Sequence, residues 1–379
     1  MQEFQQRFNS GSLKFDDVKN RYGASDKPVF PLWVADTDFP PPEMVNHGLS
    51  RFLSSHFGYQ QLAVTAAVSQ WHWRRGEYID ESSIVDCCSI IAAMGIALEC
   101  LTRPGDKVGI FIPSYGPFFA VTEKTQRKVC PLTLDINDGN VHIDLSSLPD
   151  DLSAVLLCNP HNPTGRLWQR DELEALAEWC TQRNIPLICD EVHRGFIAEG
   201  NEFVSLTSIG DEYQNNTIVL QSPSKSYNLA HVPAAAYAIV FNQQWRDAVR
   251  AAITRSHLFA GALARQALVL AYDELNDLWL QTMEEKISEN RALLTGLLHN
   301  SSLLACIPQS TFFLWLDLRD YLNHVAPGSA AEYLFKCTGI AANDGADFRA
   351  PGFVRLNFAT SSEVIKHVGE LLLTISSNK

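Results

Sequence analysis

Lys225 lies in the stretch Gln221-Ser222-Pro223-Ser224-Lys225-Ser226-Tyr227-Asn228-Leu229, directly after the apolar run Thr217 to Leu220. That run reads as a strand, so the lysine stands in a short hydroxyl-rich loop at a strand end. A lysine amine forms an imine with an aldehyde, and neighbouring hydroxyls suit a phosphate. Pyridoxal phosphate carries both groups, which makes Lys225 a candidate to hold it. Taken alone, Ser-x-Ser-Lys reads as a solvated lysine in a polar loop.

Two further stretches bear on that choice. Asn159-Pro160-His161-Asn162-Pro163-Thr164-Gly165 follows the apolar run ending at Cys158. Two Asn-Pro units and a Thr-Gly make a stiff turned loop that aims one amide at a fixed point. Read blandly, it is a turn. Asp190-Glu191-Val192-His193 follows the run Ile185 to Cys189. An aspartate there caps the next helix or sits in a solvated turn. As a site residue it would pair with a pyridine nitrogen and keep it protonated, so that the ring accepts electrons from a substrate carbanion. Asn162, Asp190 and Lys225 thus each follow a separate strand.

The elements that must position them alternate. Strands are expected at Ile84 to Cys87, Lys107 to Ile112, Lys128 to Leu132, Ala154 to Cys158, Ile185 to Cys189, Thr217 to Leu220 and Ala234 to Val240. Helices are expected at Glu43 to Ser55, Leu62 to Arg75, Ile90 to Thr102, Phe118 to Thr125 and Arg170 to Arg183. Short continuous apolar runs separated by helices predict an α/β fold with a mostly parallel sheet covered on both faces. Ligands of such sheets sit outside the carboxyl ends of the strands, where the three motifs fall. The helix starting at Ile90 lacks charge at its start, which leaves its first N–H groups to an anion.

Upstream, residues 1–29 read as an irregular arm with a short helix. Pro31 to Phe39, stopped by Pro40-Pro41-Pro42, reads as a rigid connector. Phe57-Gly58-Tyr59 reads as a turn. After Phe241 the pattern is helical to about Leu298. Strands at Phe312 to Leu316 and Phe353 to Asn357, with helices near Ala330 to Phe335 and Ser362 to Ile375, then predict a smaller α+β domain. The expected division is a large cofactor-binding domain over 45–270 and a small domain from 1–44 with 271–379.

The chain has 379 residues, 46% of them hydrophobic and 19% charged, which suits a globular enzyme. A net charge of −13 argues against a nucleic-acid surface. No apolar run is long enough to span a membrane. The nine scattered cysteines fit a reducing cytoplasm, with neither a disulfide framework nor a zinc site. His72 lacks a second ligand at helical spacing, so no metal is expected.

Asn-Pro-x-Asn-Pro-Thr-Gly, Asp-Glu-x-His and Ser-x-Ser-Lys-x-x-Asn-Leu-Ala together resemble the fold-type I pyridoxal-phosphate enzymes of the aspartate aminotransferase superfamily. Trp33-Val34-Ala35-Asp36-Thr37-Asp38-Phe39, Phe57-Gly58-Tyr59, Pro113-Ser114-Tyr115-Gly116-Pro117-Phe118, His193, Pro308-Gln309-Ser310-Thr311 and Gly352-Phe353-Val354-Arg355-Leu356-Asn357 look like its MalY/PatB branch, the cystathionine or cysteine-S-conjugate β-lyase group. The resemblance runs from about Pro31 to the C-terminus.

The resemblance implies roles. Lys225 would form the Schiff base and then remove the substrate Cα proton. Asp190 would meet the pyridine N–H, Asn162 the ring hydroxyl, and His193 would lie near one of them. Tyr115 would stack on the ring. Ser222, Ser224 and the N–H groups of Ile90 and Ile91 would contact phosphate. Tyr59 would reach the phosphate of a second copy, which requires a homodimer. Arg355 would clamp the substrate carboxylate, with the backbone of Ala35 assisting. The chain departs from the pattern where His231 follows Ala230 and no Lys or Arg occurs between Ser226 and Trp245, and where Asp344 stands near the substrate.

Three functions compete: a carbon–sulfur β-lyase giving thiol, pyruvate and ammonia; an aminotransferase acting with a 2-oxo acid; and a regulatory binding protein on the same fold.

Overall fold

In the computed structural model, residues 7–55, 58–137, 139–230, 232, 235–322 and 329–377 are described. A seven-stranded sheet forms the centre. Across it run Ile84–Cys87, Ala236–Ile239, Thr217–Gln221, Leu187–Asp190, Ala154–Cys158, Lys107–Ile112 and Lys128–Thr133. Successive residues of the inner strands are buried on opposite faces. Val155, Leu157, Leu187 and Cys189 join one apolar cluster, and Ala154, Leu156, Cys158 and Ile188 join the other. A strand sealed on both faces needs the unbroken apolar run that the sequence carries.

The inner strands are parallel, with Cys158 level with Asp190 and Asp190 level with Leu220. This register brings the three functional loops out side by side. Ala236–Ile239 runs antiparallel to both neighbours, so it alone in this sheet reverses direction. The expected strand at Ile185 begins two residues later and takes in Asp190 itself.

A second sheet orders Phe313–Asp317, Phe353–Asn357 and Asn343–Asp344, all antiparallel, with Trp315 and Asn343 flanking Arg355. The long helix Asp277–Leu298 packs along Ser362–Ser377 behind it. The expected N-terminal arm holds two short helices, Leu13–Asp16 and Val18–Tyr22. The connector after it is pinned at Phe30–Pro31, which pairs in parallel with Ile340–Ala341. Of the expected Phe57-Gly58-Tyr59 turn, Phe57 lies outside the described residues.

A buried polar network holds two of the strand ends from beneath. Arg194 Nη2 donates to Glu77 Oε1 (2.6 Å) and Nη1 to Glu77 Oε2 (3.2 Å). The same Nη1 reaches Gln221 Oε1 (3.2 Å), and Gln221 Nε2 donates to Glu191 Oε2 (2.8 Å). Gln221 directly precedes the Ser222–Lys225 loop and Glu191 directly follows Asp190. Removing one member of a buried ion pair leaves the other charge uncompensated. Glu77→Ala therefore lowers stability by about 3–5 kcal/mol, measured by urea unfolding of the cofactor-free chain. The double variant Glu77→Leu/Arg194→Met, which removes both charges, loses less than Glu77→Ala does. Equal or greater loss in the double variant contradicts this account.

Candidate active site

A cavity of about 860 Å3 opens beside these loops, with Ala35, Tyr115, Lys225 and Arg355 in its wall. Lys225 Nζ donates to the carbonyl oxygen of Ala35 at 2.8 Å. Burial and the nearby charge of Arg355 pull its pKa down to about 8, against opposing attraction from Asp36 and Asp190. A fraction of the amine is therefore neutral near physiological pH, as a base or nucleophile requires.

Arg355 occupies the middle strand of the small sheet and is fully enclosed. Its Nη1 donates to Asn162 Oδ1 (2.9 Å) and its Nη2 to the carbonyl of Trp33 (3.3 Å). The guanidinium stands 4.0 Å from the ring centre of Phe313 and 5.0 Å from that of Phe348. Burial lowers its pKa to about 10, which leaves it charged at neutral pH. Its Nε is buried without a partner.

Asp190 is buried and accepts the N–H of Val192 on Oδ1 (2.9 Å). No helix follows directly, so this bond closes a turn and is not a helix cap. Burial raises its pKa to about 7, opposed by that N–H and by Lys225. His193 is buried edge-on to Phe313 at 5.3 Å, and its Nδ1 has no partner. Burial, with Lys225 and Arg355 nearby, keeps its pKa well below the usual imidazole range. Tyr115 precedes the helix Gly116–Lys124, and burial raises its pKa while Arg355 opposes.

Ser89 caps the helix Ile90–Leu101 by accepting the N–H of Ala92 (3.1 Å). No hydrogen bond from a described residue reaches the N–H groups of Ile90 and Ile91. Ser222 Oγ donates to the carbonyl of Ala235 (3.1 Å) and accepts the N–H of Ser224 (3.2 Å), so this hydroxyl already braces its own loop. Among the described residues, none takes a hydrogen bond from the Ser224 hydroxyl. Tyr59 is fully exposed and takes no part in the cavity wall of its own chain. His231 lies outside the described residues.

These groups fit pyridoxal phosphate. A buried carboxylate with a raised pKa suits a protonated ring nitrogen, and unpartnered helix-start N–H groups suit a phosphate. Sequence reading missed the carbonyl of Trp33 and the carboxylate of Asp36, both inside a motif in which Ala35 alone was singled out. It also missed Arg7 and Arg21 of the arm, which line the cavity and carry no motif. Asp344 does not have the expected substrate-facing role. Its Oδ2 accepts the N–H of Ala331 and its Oδ1 that of Ala346, both at 2.9 Å. Asp347, three residues on, lines the cavity instead.

Known proteins share the sequence pattern and the fold. The chain is 28% identical over 373 residues to cystathionine beta-lyase PatB of Bacillus subtilis (strain 168), covering 94% of each. The solved structure of cystalysin from Treponema denticola, which contains pyridoxal 5'-phosphate, is 26% identical with a TM-score of 0.89 and covers 100% of this chain and 98% of that one. A PLP-bound putative aminotransferase from Clostridium difficile 630 is 25% identical, also with a TM-score of 0.89, over 100% and 99% of the two chains. By contrast, an aspartate aminotransferase of Bacillus sp. (strain YM-2) matches at 26% over 59% of this chain and 58% of its own. The family described as aminotransferase class I and II matches residues 47–372, and the chain belongs to it.

Proposed function

We propose that this protein is a pyridoxal-phosphate-dependent carbon–sulfur β-lyase that converts cystathionine or a related cysteine S-conjugate, with uptake of water, to a thiol, pyruvate and ammonia. The observation that carries this reading is Lys225 and Arg355 together in the wall of one cavity, with Asn162 bonded to Arg355 and Asp190 close enough to Lys225 to attract its charge. The end-to-end match to a cystathionine beta-lyase, against a partial match to an aspartate aminotransferase, favours elimination over transamination. Aminotransferase activity is the second reading, favoured by the family's description and by one structural relative.

When bound, the cofactor supplies an electron sink that stabilises negative charge at the substrate Cα. The chain's residues do the rest. Arg355 clamps the substrate carboxylate, held rigid by Asn162 and the Trp33 carbonyl. Lys225 Nζ takes the Cα proton, and the thiolate then leaves from Cβ. Asp190 holds a proton at the ring nitrogen. Asn162 would hydrogen-bond the ring hydroxyl, His193 would lie near that oxygen or near Asp190, and Tyr115 would stack on the ring. Ala35 offers its carbonyl to the amine of Lys225. The N–H groups of Ile90 and Ile91, with Ser222 and Ser224, would hold the phosphate together with Tyr59 of a second copy. The full exposure of Tyr59 supports a homodimer with shared sites.

The proposal includes the division into 45–270 and 1–44 with 271–379, since each part encloses one of the two larger sheets. It also includes a cytoplasmic location. Nine free cysteines support that, and no helix among the described residues is long and apolar enough to cross a membrane.

Incubation with cystathionine yields pyruvate without added 2-oxo acid, and Lys225→Ala abolishes both this and the cofactor's visible absorbance. Strict dependence on a 2-oxo acid overturns the lyase reading. Arg355→Lys raises KM by about tenfold or more with a smaller change in kcat, because a point charge cannot replace the two-pronged clamp. Ser224→Ala weakens cofactor binding more than Ser222→Ala does, by about threefold to tenfold in Kd, since the Ser222 hydroxyl is already bonded within its loop. Fluorescence titration of the apoprotein with pyridoxal phosphate reads the difference.

A further inference from the structure

We infer that Arg21, with Asp347 beside it, selects substrates whose sulfur substituent ends in a carboxylate. The inference deepens the proposal above and rests on its amino-acid site. Arg355 and Lys225 define where the α-carboxylate and the reacting carbon lie. The same cavity continues to a second wall that includes Arg7, Arg21, Asn343 and Asp347, with Leu13 and Pro117 as apolar surface for a methylene or thioether chain.

The two arginines of that wall differ in what they have left to offer. Arg7 is committed through Nη1 to Asp36 and through Nη2 to Asp38, each at 2.9 Å. The same two carboxylates also meet Lys14, so the four groups form a balanced cluster that ties both ends of the Arg7 guanidinium. Arg21 meets one carboxylate, Asp347 at 3.0 Å, and the Asn343 amide oxygen at 3.2 Å, both through Nη2. A guanidinium has five N–H donors, so donors remain on Arg21 for a ligand. Its side chain is 40% exposed and that of Asp347 54%, so a ligand can approach both. Arg21 also lies over the Trp33 ring, 4.8 Å from its centre. That contact with the ring restrains the guanidinium beside the cavity, where its remaining donors can meet a carboxylate. The carbonyl of Trp33 in turn accepts from Arg355. One tryptophan therefore supports the arginines at both ends of the substrate.

The consequence is selectivity by terminal charge. A conjugate ending in a carboxylate gains a charge-assisted contact with Arg21 that an alkyl conjugate of equal length lacks. Asp347 competes for the same guanidinium and sets how strong that contact becomes.

The test uses the holoenzyme and two amino acids without a carbon–sulfur bond, α-aminosuberate and α-aminooctanoate, which have the same carbon count and differ in terminal charge. Dissociation constants come from the change in cofactor absorbance without any added 2-oxo acid. The parent binds α-aminosuberate about tenfold more tightly. Arg21→Gln brings the ratio close to one, Arg21→Lys keeps part of it, and Asp347→Asn widens it. A parent ratio near one, or a ratio that survives Arg21→Gln, overturns the inference. A ratio that narrows in Asp347→Asn overturns the competition assigned to that carboxylate. Because neither compound can undergo β-elimination of a thiol, the result is independent of whether the protein proves to be a lyase.

Discussion

Two cations buried in one cavity impose the constraint around which this structure is arranged. Lys225 and Arg355 each lose water; burial and the charge of Arg355 bring the lysine to about 8, and burial brings the arginine to about 10. Such charges are tolerated only where oxygen acceptors are delivered to them at fixed positions. The acceptors are the carbonyls of Ala35 and Trp33 and the amide oxygen of Asn162. The repulsion that makes the site costly also suits it to anions, since a phosphate and a carboxylate relieve it.

Delivering two of those acceptors is the task of the connector between residues 32 and 39. Asn357 donates to the carbonyls of Val34 and Asp36, both at 2.6 Å. Asn228, three residues after Lys225, donates to the carbonyls of Thr37 and Phe39. Lys14 of the arm, its side chain sealed from solvent, pairs with Asp38 at 2.8 Å. The connector is thus stitched to the small sheet, to the lysine loop and to the arm. Its carbonyls reach the site as fixed dipoles that need no reorganisation.

The consecutive acids Asp190 and Glu191 show how strand alternation divides labour. Both are buried and both are raised to about 7, with burial the leading cause. Glu191 is saturated by Ser205, by the N–H of Leu206 and by Gln221. It therefore belongs to the supporting network. Among the described residues, the Asp190 carboxylate accepts one hydrogen bond, from the N–H of Val192, and keeps capacity for a ligand. Neighbouring residues of an extended chain point to opposite sides, so one carboxylate braces the loops while the next is left with acceptor capacity.

By itself the sequence determined the strands and helices that carry the site, and it singled out Lys225, Asp190 and Asn162. Unbroken apolar runs and strand-end polar residues are local signals, readable from neighbours a few positions apart. Only the tertiary structure decided the direction of Ala236–Ile239, because a short apolar run is the same in either orientation. It alone turned Asp344 into a cap and Ser222 into a brace, since a side chain's use depends on which backbone groups fold next to it. It alone brought Trp33 to Arg355 and the arm's Arg21 to Asp347, across separations of more than 300 residues. Such contacts have no spacing to read. They exist because the chain closes on itself, and closure is a property of the whole fold.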